Sequence, residues 1–159
     1  MMAISVSEFK HVMRQWASAV TIVTLRDKES IHGLTVSGFV GLSLEPPLVM
    51  ISVGRELRSH AILREGQCFA VNFLREDQLE LSDRFAGRKG SVDRFEGLAT
   101  RIAVTGAPVL EECLAWMDCR VIAITPAGDH TLYIGEVLAS GVSGGKPLLY
   151  WAGDYRTLA

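Results

Sequence analysis

The stretch "GLTVSGFVGLSLEPPLVMISV", from Gly33 to Val53, carries the strongest signal for the fold. Its first half is rich in Gly, Ser and Thr, and glycine inside a strand pattern marks a bulge or a close approach by another group. Two prolines then turn the chain, because proline cannot donate to a central strand ladder. The apolar run "LVMISV" that follows predicts a fully buried strand. The stretch therefore predicts a glycine-broken strand, a turn and a second strand.

Strand patterns dominate the rest of the chain. Runs such as "AVTIVTL" and "QCFAVNFL" have the β-branched and aromatic composition typical of strands. Helices are predicted for "RSHAILREG", for "REDQLELSDRFAGRK" and for the N-terminus, where Ser5 and Glu8 have capping-box spacing. The apolar stripe of this first helix consists of Phe9, Val12, Met13, Trp16 and Val20. Strands and helices do not alternate, which predicts a mainly β fold, a small antiparallel barrel with peripheral helices, in one domain over 1–159.

Composition excludes several classes of protein. The chain of 159 residues is 48% apolar, and its net charge of −2 without a basic stripe argues against a nucleic-acid surface. We expect no membrane span, because no apolar run approaches the ~20 residues that one needs. The three cysteines form no C-x-x-C motif, which predicts reduced thiols in a cytoplasmic protein. The four histidines lack metal-ligand spacing, so no metal site is expected.

Nucleotide and nucleophile motifs are also missing. The segment "GVSGGKP", from Gly141 to Pro147, is one residue short of a phosphate loop and has Pro147 where the loop needs a hydroxyl. No strand is followed by G-x-G-x-x-G, and no G-x-S-x-G nucleophile elbow occurs. If the protein is an enzyme, a cofactor is therefore expected to supply the difficult chemistry.

Three segments allow either a structural or a binding interpretation. Thr35 and Ser37 share one face of a strand, either as ordinary polar strand residues or as contacts for a planar ligand. The segment "RFAGRKGSVDRF" carries four cations in a glycine-rich turn, either as a solvated loop or as a phosphate clamp. His130 follows a Gly-Asp turn in "AGDHTL", where a lone histidine is either structural or part of a site.

The order of the segments, taken together, resembles a known family. Matching stretches include "FKHVMRQWASAVTIVT", the opening stretch, "HAILREGQCFAVNFL", "LSDRFAG", "TGAPVLEECLAWMDCRV", "GDHTLYIGEV" and "PLLYWAGDYRTL". They are collinear over nearly the whole chain. The chain resembles the flavin reductases, the small NAD(P)H-dependent components of two-component flavin monooxygenases. The resemblance implies a split β-barrel of the flavin-binding type and a homodimer with each flavin near the subunit interface.

The resemblance also implies roles for residues at matching positions. Those expected to contact the flavin ring or its ribityl chain are Thr35, Val36, Ser37, Ser52 and Val53. Those expected in the pocket or near the flavin phosphate are Ser59, Asn72, Arg84, Phe85, Ala86 and Lys89, with His60 a weaker match beside Ser59. A C-terminal segment with Tyr155 and Arg156 is expected to close over the pocket, and the small residues of "GLTVSGFVG" are expected to let the flavin lie against the backbone.

The resemblance implies hydride transfer from NADH or NADPH to FMN or FAD, which supplies reduced flavin to a separate monooxygenase. Such a transfer needs positioning rather than a general base, so His130 is expected to place the nicotinamide. Backbone N–H groups near Thr35 are expected to stabilise the charge that develops on the flavin ring. Two alternatives remain at this point: an FMN-binding electron carrier without nicotinamide turnover, and a barrel that binds no cofactor.

Overall fold

The computed structural model of the chain describes residues 3–28, 30–90 and 92–159, so Ser91 of the predicted phosphate clamp lies outside the described residues. The described residues form three helices and twelve strands. In chain order these are α1 (Val6–Met13), β1 (Ser18–Ala19), β2 (Thr21–Asp27), β3 (Ser30–Val36), β4 (Phe39–Leu44), β5 (Pro47–Gly54), α2 (Arg58–Gly66), β6 (Cys68–Phe73), α3 (Leu79–Phe85), β7 (Thr100–Ile102), β8 (Pro108–Leu110), β9 (Ala115–Ala127), β10 (His130–Val142), β11 (Leu149–Trp151) and β12 (Asp154–Arg156).

Seven of these strands form one antiparallel sheet in the order β3-β2-β6-β9-β10-β5-β4. Strands β3 and β4 are consecutive in the chain but lie at opposite edges of this sheet, joined only through Ser37 and Gly38. Because consecutive Cα atoms are 3.8 Å apart, the two edges must come together at this point. The sheet therefore curls into a barrel that is pinned at Ser37–Gly38 and not closed elsewhere, and the prediction of a mainly β split barrel is confirmed.

The glycine-broken strand differs from its prediction. The segment "IHGLTVSGFVGLS" forms two strands, β3 and β4, at opposite edges of the sheet, rather than one strand interrupted by glycines. At the crossing, the Ser52 N–H donates to the Gly38 carbonyl oxygen at 2.9 Å. A Cβ at Gly38 would lie 2.9 Å from the Ser52 Cβ, closer than side chains tolerate. Glycine at this position is thus required by the close approach of Ser52 on the neighbouring strand β5.

The burial of the strands corrects a second prediction. β5 is not fully buried: Val49, Ile51 and Val53 point into the core, while Leu48, Met50 and Ser52 are half-buried on the outer face. The strand with the most continuous burial is β2, whose residues Thr21 to Leu25 are all buried. It is covered on its second face because α3 and β8 pack outside the barrel.

Two apolar clusters result from this arrangement. The barrel interior is filled by side chains such as Val23, Ile51, Phe69 and Tyr133. The second cluster lies outside β2 and β6 and includes Ile22 and Phe85 together with Val109, Leu110 and Trp116. Phe85 of α3 also packs edge-on against Phe95, with ring centroids 5.0 Å apart. This second cluster holds α3 against the barrel beside the end of β3.

Helix α1 begins where it was predicted to begin, but its packing differs from the prediction. Both hydrogen bonds of the Ser5–Glu8 capping box are present. Helix α1 ends at Met13, so Trp16 and Val20 of the predicted stripe lie beyond it. The stripe of the helix itself does not face the core, because Phe9 and Val12 are 55% and 62% exposed. Trp16 is also exposed, at 70%, whereas Val20 is buried. In α3, Leu79 is 40% exposed, whereas Leu81 and Phe85 face inward.

Gly33 should tolerate no side chain, whereas Gly41 should. A Cβ at Gly33 would lie 2.4 Å from the Phe85 ring, while a Cβ at Gly41 meets nothing within 4 Å. We expect Gly33→Ala to lower the free energy of unfolding by about 1–3 kcal/mol through overpacking. Gly41→Ala should change it by less than about 0.5 kcal/mol. Urea unfolding of both variants checks this, and equal effects would contradict the packing role of Gly33.

Candidate functional site

The end of β3 is the point on which three surface depressions converge. Thr35 lines all three of them, and Val36 and Ser37 line two. Thr35 is half-buried, Val36 is buried and Ser37 is exposed, so the two hydroxyls share the outer face as predicted. The Thr35 hydroxyl donates to the Ser82 carbonyl oxygen at 2.7 Å, which ties β3 to α3. The structure therefore places the centre of the predicted site at the crossover between the two sheet edges.

The first depression, the His130 cleft, has a volume of about 430 Å³. Its floor is formed by the end of β3 and by Ser52 and Val53 of the neighbouring β5. His130 lies at its rim because β10 begins there and pairs with Gly54 at the end of β5. Phe9 and Met13 of α1 form the opposite side. Predicted site residues from three different strands thus meet in one cleft.

The side chain of Asp129 fixes the His130 ring. The two are joined through His130 Nδ1 and Asp129 Oδ1 at 2.7 Å, and this hydrogen bond lowers the pKa of the Asp129 carboxyl. The carboxylate accepts from Nδ1, which leaves Nε2 of the exposed ring to face a partner.

The second depression, the Arg58–Arg94 pocket, is rich in cationic and polar side chains. It has a volume of about 200 Å³. Arg58 and Ser59 come from the first turn of α2, and Arg94 from the loop after α3. Arg94 is held in place because its Nη1 donates to the Gly33 carbonyl oxygen at 2.8 Å. Two guanidinium groups beside a hydroxyl form a donor set that suits phosphate.

Histidine 32 completes this pocket. Its Nε2 lies 2.9 Å from the Ser59 hydroxyl, and Ser59 is only 2% exposed. Burial, followed by the positive charges of Arg94 and Arg58, lowers the pKa of His32. His60, the next residue along α2, instead bonds Thr131 through Nε2 at 2.9 Å and packs against Tyr133. The structure therefore places Ser59 in the pocket and His60 outside it.

The third depression, the Tyr155 pocket, lies on the other side of Thr35. It has a volume of about 200 Å³ and is closed by the C-terminal hairpin β11–β12. The Tyr155 hydroxyl lies 2.9 Å from Ser82 Oγ and 2.8 Å from Asp83 Oδ1. Arg88 pairs with the same Asp83 oxygen at 2.7 Å and lines the pocket. These contacts fasten the C-terminal segment to α3, and the hydrogen bond from Tyr155 lowers the pKa of Asp83.

Four predicted site residues do not line any of the three depressions. Asn72 is fully buried, and its amide bonds the Ile22 carbonyl oxygen, Thr24 Oγ1 and the Leu110 N–H at 2.8–3.0 Å. Its polar atoms are thus used to join β2, β6 and β8. Arg84 donates to the Glu96 carbonyl oxygen at 2.9 Å, Arg156 pairs with Asp154, and Lys89 is exposed.

Phe85 and Ala86 do reach the site, both in the Arg58–Arg94 pocket. Sequence reasoning missed His32, Leu57 and Arg58, and it gave Arg88 and Arg94 no role beyond the clamp as a whole. The "IH" before Gly33 offered a weak signal, because His32 and Thr35 lie close together on one strand. The proximity of Arg58 and Arg94 is set by tertiary packing and leaves no signal in the spacing.

The three thiols are not activated as nucleophiles, because burial raises the pKa of each of them. Cys68, Cys113 and Cys119 are free, as predicted. Burial raises the pKa of Cys113 to about 11 and that of Cys119 to about 12, which keeps both thiols protonated.

Within the described residues there is no cluster of three or more His, Cys, Asp or Glu side chains that could hold a metal ion. Nor does that part of the chain contain a helix with the length and apolar character to cross a membrane.

Comparison with known proteins identifies the family. The family model described as "Flavin reductase like domain" matches residues 13–159. An NADH-dependent flavin reductase from Rhodococcus sp is 36% identical over 152 residues, which cover 94% of this chain and 84% of that protein. The reductase component of 4-hydroxyphenylacetate 3-monooxygenase from Thermus thermophilus is 38% identical over 94% of this chain and 95% of its own. The chain belongs to the flavin reductase-like family, as its sequence predicted.

Solved structures agree with this assignment. The flavin reductase PheA2 in its native state has a TM-score of 0.91 and 34% sequence identity, and the match covers 98% of this chain and 99% of that one. The styrene monooxygenase flavin reductase from Pseudomonas putida S12 has a TM-score of 0.86 and 33% identity, covering 95% and 97%. The split barrel is therefore the fold of the family.

Proposed function

We propose that this protein is an NADH- or NADPH-dependent flavin reductase that supplies reduced FMN or FAD to a separate monooxygenase. The observation that carries the proposal is that three depressions meet at Thr35. One of them is lined by two arginines, and another has the exposed ring of His130 at its rim. The proposal is supported by relatives that align with almost the whole chain and are named as an NADH-dependent flavin reductase and as a monooxygenase reductase component.

The residues of the Arg58–Arg94 pocket fit the phosphate of a flavin. Arg58 and Arg94 supply charge, and Ser59 supplies a hydroxyl. The N-cap residue of α2, Leu57, makes no side-chain hydrogen bond, and the start of this helix, from Leu57 to Ser59, lines the same pocket. From there the flavin would extend along the backbone of Thr35 to Ser37, with Ser52 and Val53 beside it.

A bound flavin supplies the chemistry of hydride acceptance from a reduced nicotinamide. The protein must hold both rings within about 3–3.5 Å of each other and exclude competing orientations. His130 suits this task because its ring is fixed by Asp129 and stands at the rim of the cleft. Its role is to position the nicotinamide, since hydride transfer itself requires no general base.

Reductase turnover is the direct test of this function. The purified protein is mixed anaerobically with a large excess of free FMN and NADH while flavin absorbance is followed. We expect many equivalents of flavin to be bleached per protein, and FAD and NADPH are then compared in the same assay. Bleaching of at most one equivalent would instead indicate an electron carrier, and no flavin binding at all would overturn the proposal.

His130 is expected to affect the nicotinamide more than the flavin. His130→Ala should raise the KM for NADH roughly tenfold, the equivalent of one or two lost hydrogen bonds, while the Kd for FMN changes little. His11→Ala is the matched control, because His11 is an exposed histidine on α1 that lines none of the three depressions. An unchanged KM for NADH in His130→Ala would remove His130 from the site.

We further propose that the protein is a homodimer and that it acts in the cytoplasm. The outer face of the sheet carries an apolar row across four strands, in which Val40 pairs with Met50, Met50 with Ile134 and Ile134 with Ala123. The row is half-buried or exposed in the single chain, and such patches mark protein interfaces. The three free thiols suit a reducing compartment.

Disrupting this row should separate the subunits. We expect light scattering after size exclusion to give a dimer for the natural protein and a monomer for Met50→Glu, because a charge cannot be buried there without a partner. Val142→Glu, at an 83% exposed apolar position at the far end of β10, should remain a dimer. A monomeric natural protein, or a dimeric Met50→Glu variant, would contradict this interface.

A further inference from the structure

The Arg58–Arg94 pocket contains a titratable group that hydride transfer does not use. His32 lies on β3 with its ring half-buried, and it lines the pocket beside both arginines. Its only hydrogen-bond partner among the described side chains is the Ser59 hydroxyl at 2.9 Å, which lines the same pocket. We propose that His32 belongs to the phosphate-binding set of this pocket and takes up a proton when a phosphorylated flavin binds. The proposal rests on the proposed function, because its ligand is the flavin phosphate.

The charges around His32 explain why the ring is neutral before a ligand arrives. Arg94 faces it from the loop after α3, Arg58 from α2, and Asp27 from the end of β2. Burial and the two arginines lower the pKa of His32, and the opposing influence of Asp27 is smaller. Asp27 is also paired with Arg58 at 3.3 Å, so the guanidinium of Arg58 partly neutralises the negative charge of Asp27. At neutral pH the ring therefore carries no charge in the free protein.

A bound phosphate reverses this balance. A phosphate monoester carries about −1.5 to −2 charge at pH 7, which more than offsets either guanidinium. An opposite charge within ~4–6 Å favours the protonated form of histidine. The pKa of His32 is thus higher in the complex than in the free pocket. Net proton uptake is largest between those two values, and it vanishes below the lower one and above the upper one.

Protonation also orders the Ser59 hydroxyl. With a neutral ring, the hydrogen bond between His32 and Ser59 runs in either direction, according to the tautomer. A protonated ring has only N–H groups, so Nε2 must donate to Ser59 Oγ. The hydroxyl hydrogen of Ser59 is then released toward another acceptor, and the pocket that Ser59 lines offers a phosphate oxygen. The His32–Ser59 pair therefore recognises a phosphorylated flavin and contributes nothing toward riboflavin.

The experiment is isothermal titration of the ligand-free protein with FMN and with riboflavin at pH 7.5. Each titration is run in two buffers of different ionisation enthalpy, so that the number of protons taken up is measured directly. At this pH the phosphate of FMN is already mostly a dianion, and uptake reports on the protein. We expect roughly half a proton or more to be taken up with FMN and none with riboflavin.

His32→Gln is the decisive variant and His60→Gln is its matched control. Gln keeps the hydrogen-bonding capacity of His32 but does not titrate, so proton uptake with FMN should disappear and the Kd for FMN should rise roughly tenfold. The Kd for riboflavin should stay unchanged. His60 also pairs with a hydroxyl, that of Thr131, but outside the pocket, so His60→Gln should keep the uptake of the natural protein.

A second variant keeps the test open if His32→Gln does not fold. Ser59→Ala should weaken FMN binding without weakening riboflavin binding. Uptake that persists in His32→Gln, equal uptake with riboflavin, or no uptake in the natural protein would overturn the inference. These outcomes are separable from a failure of the proposed function, which appears as absent turnover of flavin by NADH in the natural protein.

Discussion

The close approach of Gly38 to Ser52 of β5, at the turn that joins the two edge strands β3 and β4, fixes the arrangement of the site. The Gly38 carbonyl oxygen accepts the Ser52 N–H, and no Cβ fits between Gly38 and Ser52. This contact continues the β4–β5 ladder by one residue and so holds the end of β3 beside β5, although four strands separate β3 from β5 in the sheet. It thereby brings Thr35, Ser52 and His130 to one place. If the barrel were open at this point, the strands would be the same, but the residues of β3, β5 and β10 that line the His130 cleft would not meet.

Glycine has a different role here from the one that the sequence suggested. The small residues of "GLTVSGFVG" were expected to let a flavin lie against the backbone. Gly33 instead makes room for Phe85, and Gly38 makes room for Ser52. Both glycines act on the protein's own packing and serve the ligand indirectly, because they hold the exposed edge of β3 in position. The backbone of Thr35 to Ser37 is left as the ligand-facing surface.

Local patterns predicted much of the fold, and tertiary contacts account for what they missed. The capping box of α1, the start and end of α2 and the strand character of β2 and β6 follow from short-range rules. Strand order could not be predicted this way, since nothing local indicates that β3 and β4 lie at opposite edges. The same limit applies to the site: Thr35 and His130 were proposed from the family resemblance, whereas nothing local indicated that Asn72 is buried. Its burial depends on β8, which is distant in sequence.

The structure of the protein with bound FMN is the measurement that tests the central claim most directly. We predict that the phosphate lies between Arg58 and Arg94 within hydrogen-bonding distance of Ser59, and that the flavin ring lies against the backbone of Thr35 to Ser37. A phosphate bound instead beside Arg88 in the Tyr155 pocket, or a flavin that does not touch Thr35, would contradict it.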